Sequence, residues 1–208
     1  GAGLTCRRDA GITEPHDLAG KKVGLPPDGD PYPLRAWMRQ LGLKTDGSAK
    51  GITVVDQGDG VGLLLQRQAD CISTETYDQQ LDLEDAGLRP EDLTVFGYQD
   101  EGVATLADGL YVLAKDLKDA DHVQTLGAFL HHTMRGWLWA RENPVEAARI
   151  VLEYDTGHTL TEKRQVRMMD AINKLVAPRL ASDRPSAMRS PSVTHPVASA
   201  LRSSRRMA

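Results

Sequence analysis

Thr-Val-Phe-Gly-Tyr-Gln-Asp-Glu-Gly-Val-Ala-Thr-Leu-Ala-Asp-Gly-Leu-Tyr-Val-Leu-Ala-Lys, residues 94–115, is the stretch that decides the predicted fold. Two apolar runs, residues 93–96 and 110–113, have the composition of β-strands, and a polar segment interrupted by glycines lies between them. Glycines let the backbone bend, and polar side chains on such a connector can converge on a ligand. The pattern therefore predicts an extended crossover that acts as a hinge between two lobes. Its polar side chains that could face a ligand are Tyr98, Asp100, Glu101 and Asp108.

Around this stretch, short strands alternate with short helices, and from residue 116 onward the periodicity is helical. This alternation indicates parallel α/β topology. The predicted strands are residues 4–8, a run that ends at Pro26, and residues 52–55, 70–73 and 93–96. The predicted helices are residues 32–41, 63–68 and 81–87, a long helix broken at Asn143-Pro144, and two more over 145–154 and from Thr159 or Thr161 to about residue 177.

The composition excludes several classes of protein. Apolar residues make up 40% of the 208 residues and charged residues 26%, which is typical of a globular chain and not of a disordered or membrane-spanning one. Residues 179–208 contain six arginines and one acidic residue, so the rest of this chain of net charge −4 is strongly acidic and is not expected to bind nucleic acid. That arginine-, serine- and proline-rich end is predicted to be a disordered tail.

The two cysteines, Cys6 and Cys71, lie far apart in the sequence and form no ligand-like pattern. Their spacing predicts neither a disulfide nor a zinc site, and it leaves the redox compartment open.

Glycine-rich and histidine motifs are incomplete. Gly58-x-Gly60-x-Gly62 follows a strand, but Leu63 stands where a dinucleotide-binding loop needs its third glycine. The segment therefore predicts a tight turn whose free N–H groups could still face a ligand. His131 and His132 are adjacent, so on a helix they point about 100° apart and cannot share a metal ion.

Carboxylates without a partner nucleophile or metal indicate ligand hydrogen bonding or hinge structure, rather than acid–base catalysis. This applies to Asp100, Glu101 and Asp108, and we predict no catalytic residue, no metal and no cofactor. Tyr32 and Trp37 follow the carboxyl end of a strand, where open α/β sheets bind ligands, so Trp37 has two readings, core packing and ligand stacking. Trp137 and Trp139 are predicted to pack in a core.

Several segments, taken in their order along the chain, carry a family resemblance. They are residues 17–24 (Asp-Leu-Ala-Gly-Lys-Lys-Val-Gly), 69–78, 86–88, 92–112 and 134–148. Together they resemble the substrate-binding proteins of ABC importers of the nitrate/sulfonate/taurine type. The NMT1/THI5-like branch, which takes thiamine pyrimidine precursors, is the most similar, and the likeness runs from about residue 4 to residue 177.

The resemblance implies an α/β, two-lobed fold like that of type II periplasmic binding proteins, with one lobe complete and the other partial. Residues 1–17 would cross from the first lobe, 18–108 would form the second lobe, and 109–178 would return to the first lobe, ahead of the tail at 179–208. The residues that the family places earlier, together with a signal peptide, would lie before residue 1. The protein would then work in the periplasm or another extracytoplasmic space.

The same resemblance implies a ligand cleft without catalysis, whose closure about crossovers near Gly11 and residues 104–108 presents a closed face to an ABC permease. The ligand would be a small polar molecule, in particular a thiamine pyrimidine precursor. Its ring amino groups suit carboxylates, whereas nitrate or a sulfonate would be repelled. The family's Thr-Tyr-Asn-Glu segment falls on residues 76–79, which here read Thr-Tyr-Asp-Gln. The expected contacts are Asp28, Asp30, Tyr32, Glu75, Thr76, Tyr77, Asp78, Tyr98, Asp100 and Asp108.

Two other functions remain open. One is a thiamine pyrimidine synthase, an enzyme of similar fold that consumes pyridoxal phosphate and its own histidine. The Cys-rich motif of that enzyme does not occur in this sequence. The effector-binding domain of a regulator is similar as well, but no helix-turn-helix precedes it here.

Overall fold

The computed structural model of the chain describes residues 1–27, 29, 31–58, 60–105 and 109–176. The expectations for Asp28, Asp30 and Asp108, and for the tail at 179–208, lie outside these residues. Residues 1–176 belong to one structural unit, in which the sheet and three short α-helices lie within residues 2–97 and three longer α-helices lie within residues 120–176. The predicted α/β class is confirmed.

Within the described residues, five strands form a single sheet. They are β1 (Ala2–Arg7), β2 (Lys22–Leu25), β3 (Thr53–Asp56), β4 (Cys71–Glu75) and β5 (Leu93–Gly97). Their order across the sheet is β3-β2-β4-β1-β5. β2 pairs in parallel with β3 and β4, whereas β1 pairs antiparallel with both β4 and β5.

The prediction of parallel topology is wrong at β1. Strand composition reports burial and not direction, so the sequence could place β1 without fixing its sense. The direction follows from pairing: β1 lies between β4 and β5, and it runs against both of them.

Six α-helices lie in the described residues: α1 (Tyr32–Gln40), α2 (Gly62–Leu65), α3 (Gln79–Asp85), α4 (Ala120–Glu142), α5 (Pro144–Glu153) and α6 (Glu162–Val176). Each was predicted within a few residues. Asp119 caps α4 by accepting hydrogen bonds from the N–H groups of Asp121 and His122, at 2.9 and 3.2 Å. Pro144 begins α5, where its missing N–H leaves no helical bond unmade.

The larger core cluster joins one face of the sheet to α1. Trp37 is 1% exposed, and its ring centroid lies 5.3 Å from that of Phe96 and 6.3 Å from that of Tyr98. Of the two readings of Trp37, core packing is the one that the structure shows. A second cluster includes Leu64, Ile72, Leu83 and Leu93.

Cys6 and Cys71 form a disulfide, and the prediction that they do not is wrong. The two residues are register partners in the antiparallel pairing of β1 with β4, and their Cα atoms lie 3.9 Å apart. A separation of 65 residues in the sequence carried no information about this contact, because the contact depends on strand pairing.

The second apolar run of residues 94–115 is not a strand. Residues 110–113 have no regular secondary structure, and their side chains are exposed. An apolar run becomes a strand only when a neighbouring strand satisfies its backbone, and the described sheet ends at β5.

The long helix α4 has no buried residue. Trp137 is 46% exposed and Trp139 43%, so the prediction that these two residues pack in a core is wrong for the described chain. In the described part of the chain, the helix that carries them packs mainly against α5 and the short helical turn at Asp116–Lys118.

Candidate functional site

A cavity of about 470 Å³ opens where β2 and β4 end and the chain leaves β5. The carboxyl ends of these strands meet at one edge of the sheet, and because β1 is antiparallel it contributes its amino end there. Ligands of open α/β sheets bind at this edge. The described residues that line the cavity are Gly1, Ala2, Pro26, Gly29, Pro33, Ser73, Thr74, Glu75, Tyr77, Gln79, Tyr98, Gln99, Ala104, Thr105 and Leu175.

Buried and partly buried hydrogen bonds hold the floor of the cavity at the end of β4. The Gln57 side chain donates to the carbonyl oxygens of Ser73 (3.0 Å) and Gly60 (3.1 Å), and its Oε1 accepts from the Ser73 N–H at 2.9 Å. The Thr74 hydroxyl meets the Thr5 hydroxyl at 2.7 Å. These bonds tie β4 to β1 and to the turn after β3, so the floor is rigid.

One wall of the cavity follows β4 directly. Gln79 Oε1 accepts a hydrogen bond from the Glu75 N–H at 2.8 Å, and Gln79 Nε2 donates to Asp78 Oδ2 at 2.9 Å. Leu175 of α6 closes this side: a Cβ at Gly1 would lie 2.6 Å from Glu75 Oε2, 3.3 Å from a Tyr77 ring carbon and 3.5 Å from Leu175 Cδ1.

The opposite wall is the tight turn after β5. The Val103 N–H bonds the Tyr98 carbonyl at 2.9 Å, and the Asp100 N–H bonds the Gly97 carbonyl at 2.9 Å. Tyr98 is 4% exposed and packs edge-on to Trp37, which links the cavity wall to the main core. Residues 98–102, the described part of the acidic segment that follows β5, therefore form a turn beside the cavity and not an extended strand.

The predicted contact residues separate into three groups. Glu75, Tyr77 and Tyr98 line the cavity. Asp28, Asp30 and Asp108 lie outside the described residues. The others, Tyr32, Thr76, Asp78 and Asp100, are described but are not among the lining residues.

The members of that last group have different surroundings. Tyr32 is 68% exposed. Asp100 is exposed and folds back over Gly97, where a Cβ would lie 2.7 Å from Asp100 Oδ2. Thr76 Oγ1 is buried and has no hydrogen-bond partner in the described part of the chain.

Asp78 belongs to an ion-pair cluster between α3 and α6. Arg164 Nη2 lies 2.8 Å from Asp78 Oδ1 and 2.8 Å from Asp82 Oδ1. Burial raises the pKa of the Asp82 carboxyl, and the neighbouring carboxylates of Asp78 and Asp85 raise it further, against the opposing effect of Arg164. The guanidinium thus holds together a group of acids that would otherwise repel one another.

Most of the uncharged lining was not among the predicted contacts, including Gly1, Ala2, Pro26, Ser73, Thr74, Gln99 and Leu175. The position of Ser73 and Thr74 at the end of a predicted strand was a usable signal. No comparable signal existed for Leu175, which reaches the cavity from a helix about a hundred residues farther along the chain. No group of three or more His, Cys, Asp or Glu side chains in the described residues could hold a metal ion.

A match to a protein family identifies the family of this chain. The model of the NMT1/THI5-like family matches residues 2–147. The chain belongs to the NMT1/THI5-like family. That family includes substrate-binding proteins of ABC transporters and thiamine synthase-like proteins. Its members generally bind small-molecule solutes, work with ABC permeases and are typically extracytoplasmic.

Among solved structures, this NMT1/THI5-like chain is similar to a protein from Bordetella bronchiseptica RB50. The two sequences are 25% identical over 45% of this chain and 29% of that one, with a TM-score of 0.35. This chain therefore spans less than a third of the length of that relative. No curated protein matches this chain.

The family match includes most of the cavity lining. It covers every described lining residue except Gly1 and Leu175, so the floor and both walls lie in the NMT1/THI5-like part of the chain. The helix α6, with Arg164 and Leu175, lies beyond the matched residues. Within the described residues, no helix is both long enough and apolar enough to cross a membrane.

Proposed function

We propose that this chain is the solute-binding component of an ABC importer and that it binds a small polar molecule, in particular an aminopyrimidine precursor of thiamine, without transforming it. The observation that carries the proposal is the cavity at the carboxyl edge of the sheet. Its volume of about 470 Å³ suits a small molecule. Family membership supports a solute-binding role.

The charge of the lining favours a ligand rich in hydrogen-bond donors. Glu75 is the one charged side chain among the described lining residues, and the others offer hydroxyl, amide and backbone groups. A ring amino group donates to a carboxylate, and a charge-assisted hydrogen bond of this kind is among the stronger ones. Nitrate, a sulfonate or a phosphate would meet the Glu75 carboxylate with like charge.

Two aromatic side chains supply the surface that a flat heterocycle needs. Tyr77 and Tyr98 line the cavity, and the burial of Tyr98 against Trp37 fixes its position. Aromatic rings stack in offset or edge-on arrangements with heterocycles of similar size. A pyrimidine held by these rings would present its amino group to Glu75.

The disulfide supports an extracytoplasmic location. Disulfides persist in oxidising compartments and are rare in the cytosol. The bond between Cys6 and Cys71 crosses the middle of the sheet, and both residues are fully buried. A protein that carries such a bond is suited to the periplasm, where the family typically works.

We propose that the pivot of lobe closure lies at the cavity edge. Gly11 follows β1, and because β1 is antiparallel, Gly11 lies at the opposite edge of the sheet from the cavity. Among the described lining residues, Ala104-Thr105 is the backbone segment that follows the sheet and precedes the helices α4, α5 and α6 in the sequence. We therefore place the proposed hinge there instead of near Gly11, with closure burying the solute for delivery to the permease.

Ligand-dependent thermal stability tests this function. The hydroxymethyl aminopyrimidine of thiamine should raise the melting temperature, since a ligand at a hundred times its Kd stabilises the folded state by about 2.7 kcal/mol. Glu75→Gln should weaken binding on the order of tenfold, because a hydrogen bond to a charged group contributes about 1.5 to 3 kcal/mol. Tyr77→Ala should weaken it similarly through lost stacking.

Matched control variants are available on α5 and at its end. Glu153→Gln and Tyr154→Ala make related changes at exposed positions outside the cavity, and they should leave the affinity unchanged. Equal affinity for wild type, Glu75→Gln and Tyr77→Ala would remove the cavity from the account. Release of a pyrimidine phosphate on incubation with pyridoxal phosphate would instead establish the synthase activity.

A further inference from the structure

We infer that Arg164 is a positioning residue for the cavity. It clamps residues 75–79, which run from the last residue of β4 to the first residue of α3. Glu75, Tyr77 and Gln79 of this segment line the site. The inference rests on the proposed solute-binding function for its effect on affinity. It also assigns Asp78 a structural partner in place of the predicted ligand contact.

The first step is the contact of Arg164 with Asp78. Arg164 Nη2 donates to the Asp78 carbonyl oxygen at 2.9 Å and to Asp78 Oδ1 at 2.8 Å. One guanidinium therefore holds both the backbone and the side chain of the residue that lies between two lining residues. The Arg164 side chain is 18% exposed, so these bonds are partly shielded from water.

The second step carries this restraint to the end of β4. The other Asp78 oxygen, Oδ2, accepts from Gln79 Nε2 at 2.9 Å, and Gln79 Oε1 accepts from the Glu75 N–H at 2.8 Å. A continuous chain of hydrogen bonds thus runs from Arg164 through Asp78 and Gln79 to the backbone of Glu75. Loss of Arg164 would release Asp78 and, with it, the side chain that orients Gln79.

The third step concerns the helix that carries Arg164. Leu175, at the other end of α6, lines the cavity beside Tyr77. Arg164 therefore also holds α6 in the place where Leu175 closes the site. Arg164 thus bonds to the wall after β4 from the helix that covers it, and Arg167 shares in holding that helix against α3.

Arg167 provides a matched comparison on the same pair of helices. Its guanidinium forms ion pairs with Glu84 (2.8 Å) and Asp85, at the far end of α3 from the cavity segment. Arg167→Gln removes the same kind of charge from the same helix–helix contact. It leaves the hydrogen bonds of Asp78 and Gln79 in place.

The experiment compares Arg164→Gln and Arg167→Gln in the full chain by amide hydrogen exchange without ligand. The amides to follow are those of Glu75, Asp78 and Leu81, which bond to Gln79 Oε1, the Glu75 carbonyl and the Asp78 carbonyl. Arg164→Gln should speed their exchange on the order of tenfold, whereas Arg167→Gln should change it about twofold or less. Calorimetry should show that Arg164→Gln weakens aminopyrimidine binding on the order of tenfold and that Arg167→Gln weakens it by about twofold or less.

Each outcome decides the matter. If Arg164→Gln speeds exchange in β1 and β2 as well, the Asp78→Asn variant is measured in its place. Asp78→Asn weakens the same clamp, and it should speed exchange in residues 75–81 alone. No local change with either variant overturns the clamp, whether or not the aminopyrimidine binds. Faster local exchange with unchanged affinity overturns the positioning role. A wild-type chain that binds no aminopyrimidine refutes the proposed function, while the exchange comparison still decides the clamp.

Discussion

Reducing the disulfide between Cys6 and Cys71 should lower the stability of the chain by several kcal/mol. The bond joins residues 65 apart. The chain-entropy relation for a cross-link that closes a loop of this length gives about 4 kcal/mol at room temperature. For a domain of this size each kcal/mol corresponds to roughly 2 to 4 °C, so the melting temperature should fall by roughly 8 to 16 °C.

The assay is thermal unfolding followed by circular dichroism, with and without a phosphine reductant. Both cysteines are fully buried, so the protein must be unfolded in the reductant and refolded before the measurement. The Cys6→Ala/Cys71→Ala variant is the control, and its melting temperature should not respond to the reductant. A wild-type melting temperature that is unchanged by reduction, or two titratable thiols in the unfolded but unreduced protein, would refute the reasoning.

Two further predictions concern the core and the response to acid. Trp37→Ala should cost about 3 to 5 kcal/mol in urea unfolding, because it empties the packing space between α1 and the sheet, whereas Tyr32→Ala at an exposed position should change the stability by less than about 0.5 kcal/mol. Equal effects of these two changes would contradict the core assignment. The Asp17 carboxylate accepts N–H bonds from Thr13 (2.8 Å) and Glu14 (3.0 Å), which lower its pKa. A lowered folded-state pKa gives stability that is complete above the unfolded-state pKa of about 4 and is lost as the pH falls below it. The urea midpoint of Asp17→Asn should therefore lie below that of the wild type at pH 6 and approach it towards pH 3, and a constant difference would contradict the linkage.

The local elements could be predicted from the sequence because their signals are local. Each described strand lies within a few residues of an apolar or β-branched run, and α1 follows the spacing of Leu34, Trp37 and Met38. The direction of β1 and the pairing of Cys6 with Cys71 were not predictable, since both depend on which strands become neighbours. The prediction of a strand at 110–113 was wrong for a related reason, because an apolar run becomes a strand only where a neighbouring strand pairs with it.

The candidate site shows the same division. Glu75, Tyr77 and Tyr98 lie at or just after the ends of predicted strands, where the family resemblance implied ligand contacts and where ligands of α/β sheets bind. Asp78 met the same rule, but Arg164, 86 residues farther along the chain, engages it. That contact depends on the packing of α6 against α3, and no local pattern in the sequence encodes it.

Isothermal titration of the full chain with the hydroxymethyl aminopyrimidine, its phosphate ester and nitrate tests the central claim most directly. A cavity in which Glu75 is the one charged side chain among the described lining residues should bind the unphosphorylated aminopyrimidine at one molecule per chain. It should bind the phosphate ester and nitrate at least tenfold more weakly. Tighter binding of either anion, or no heat of binding with the aminopyrimidine, would contradict the account.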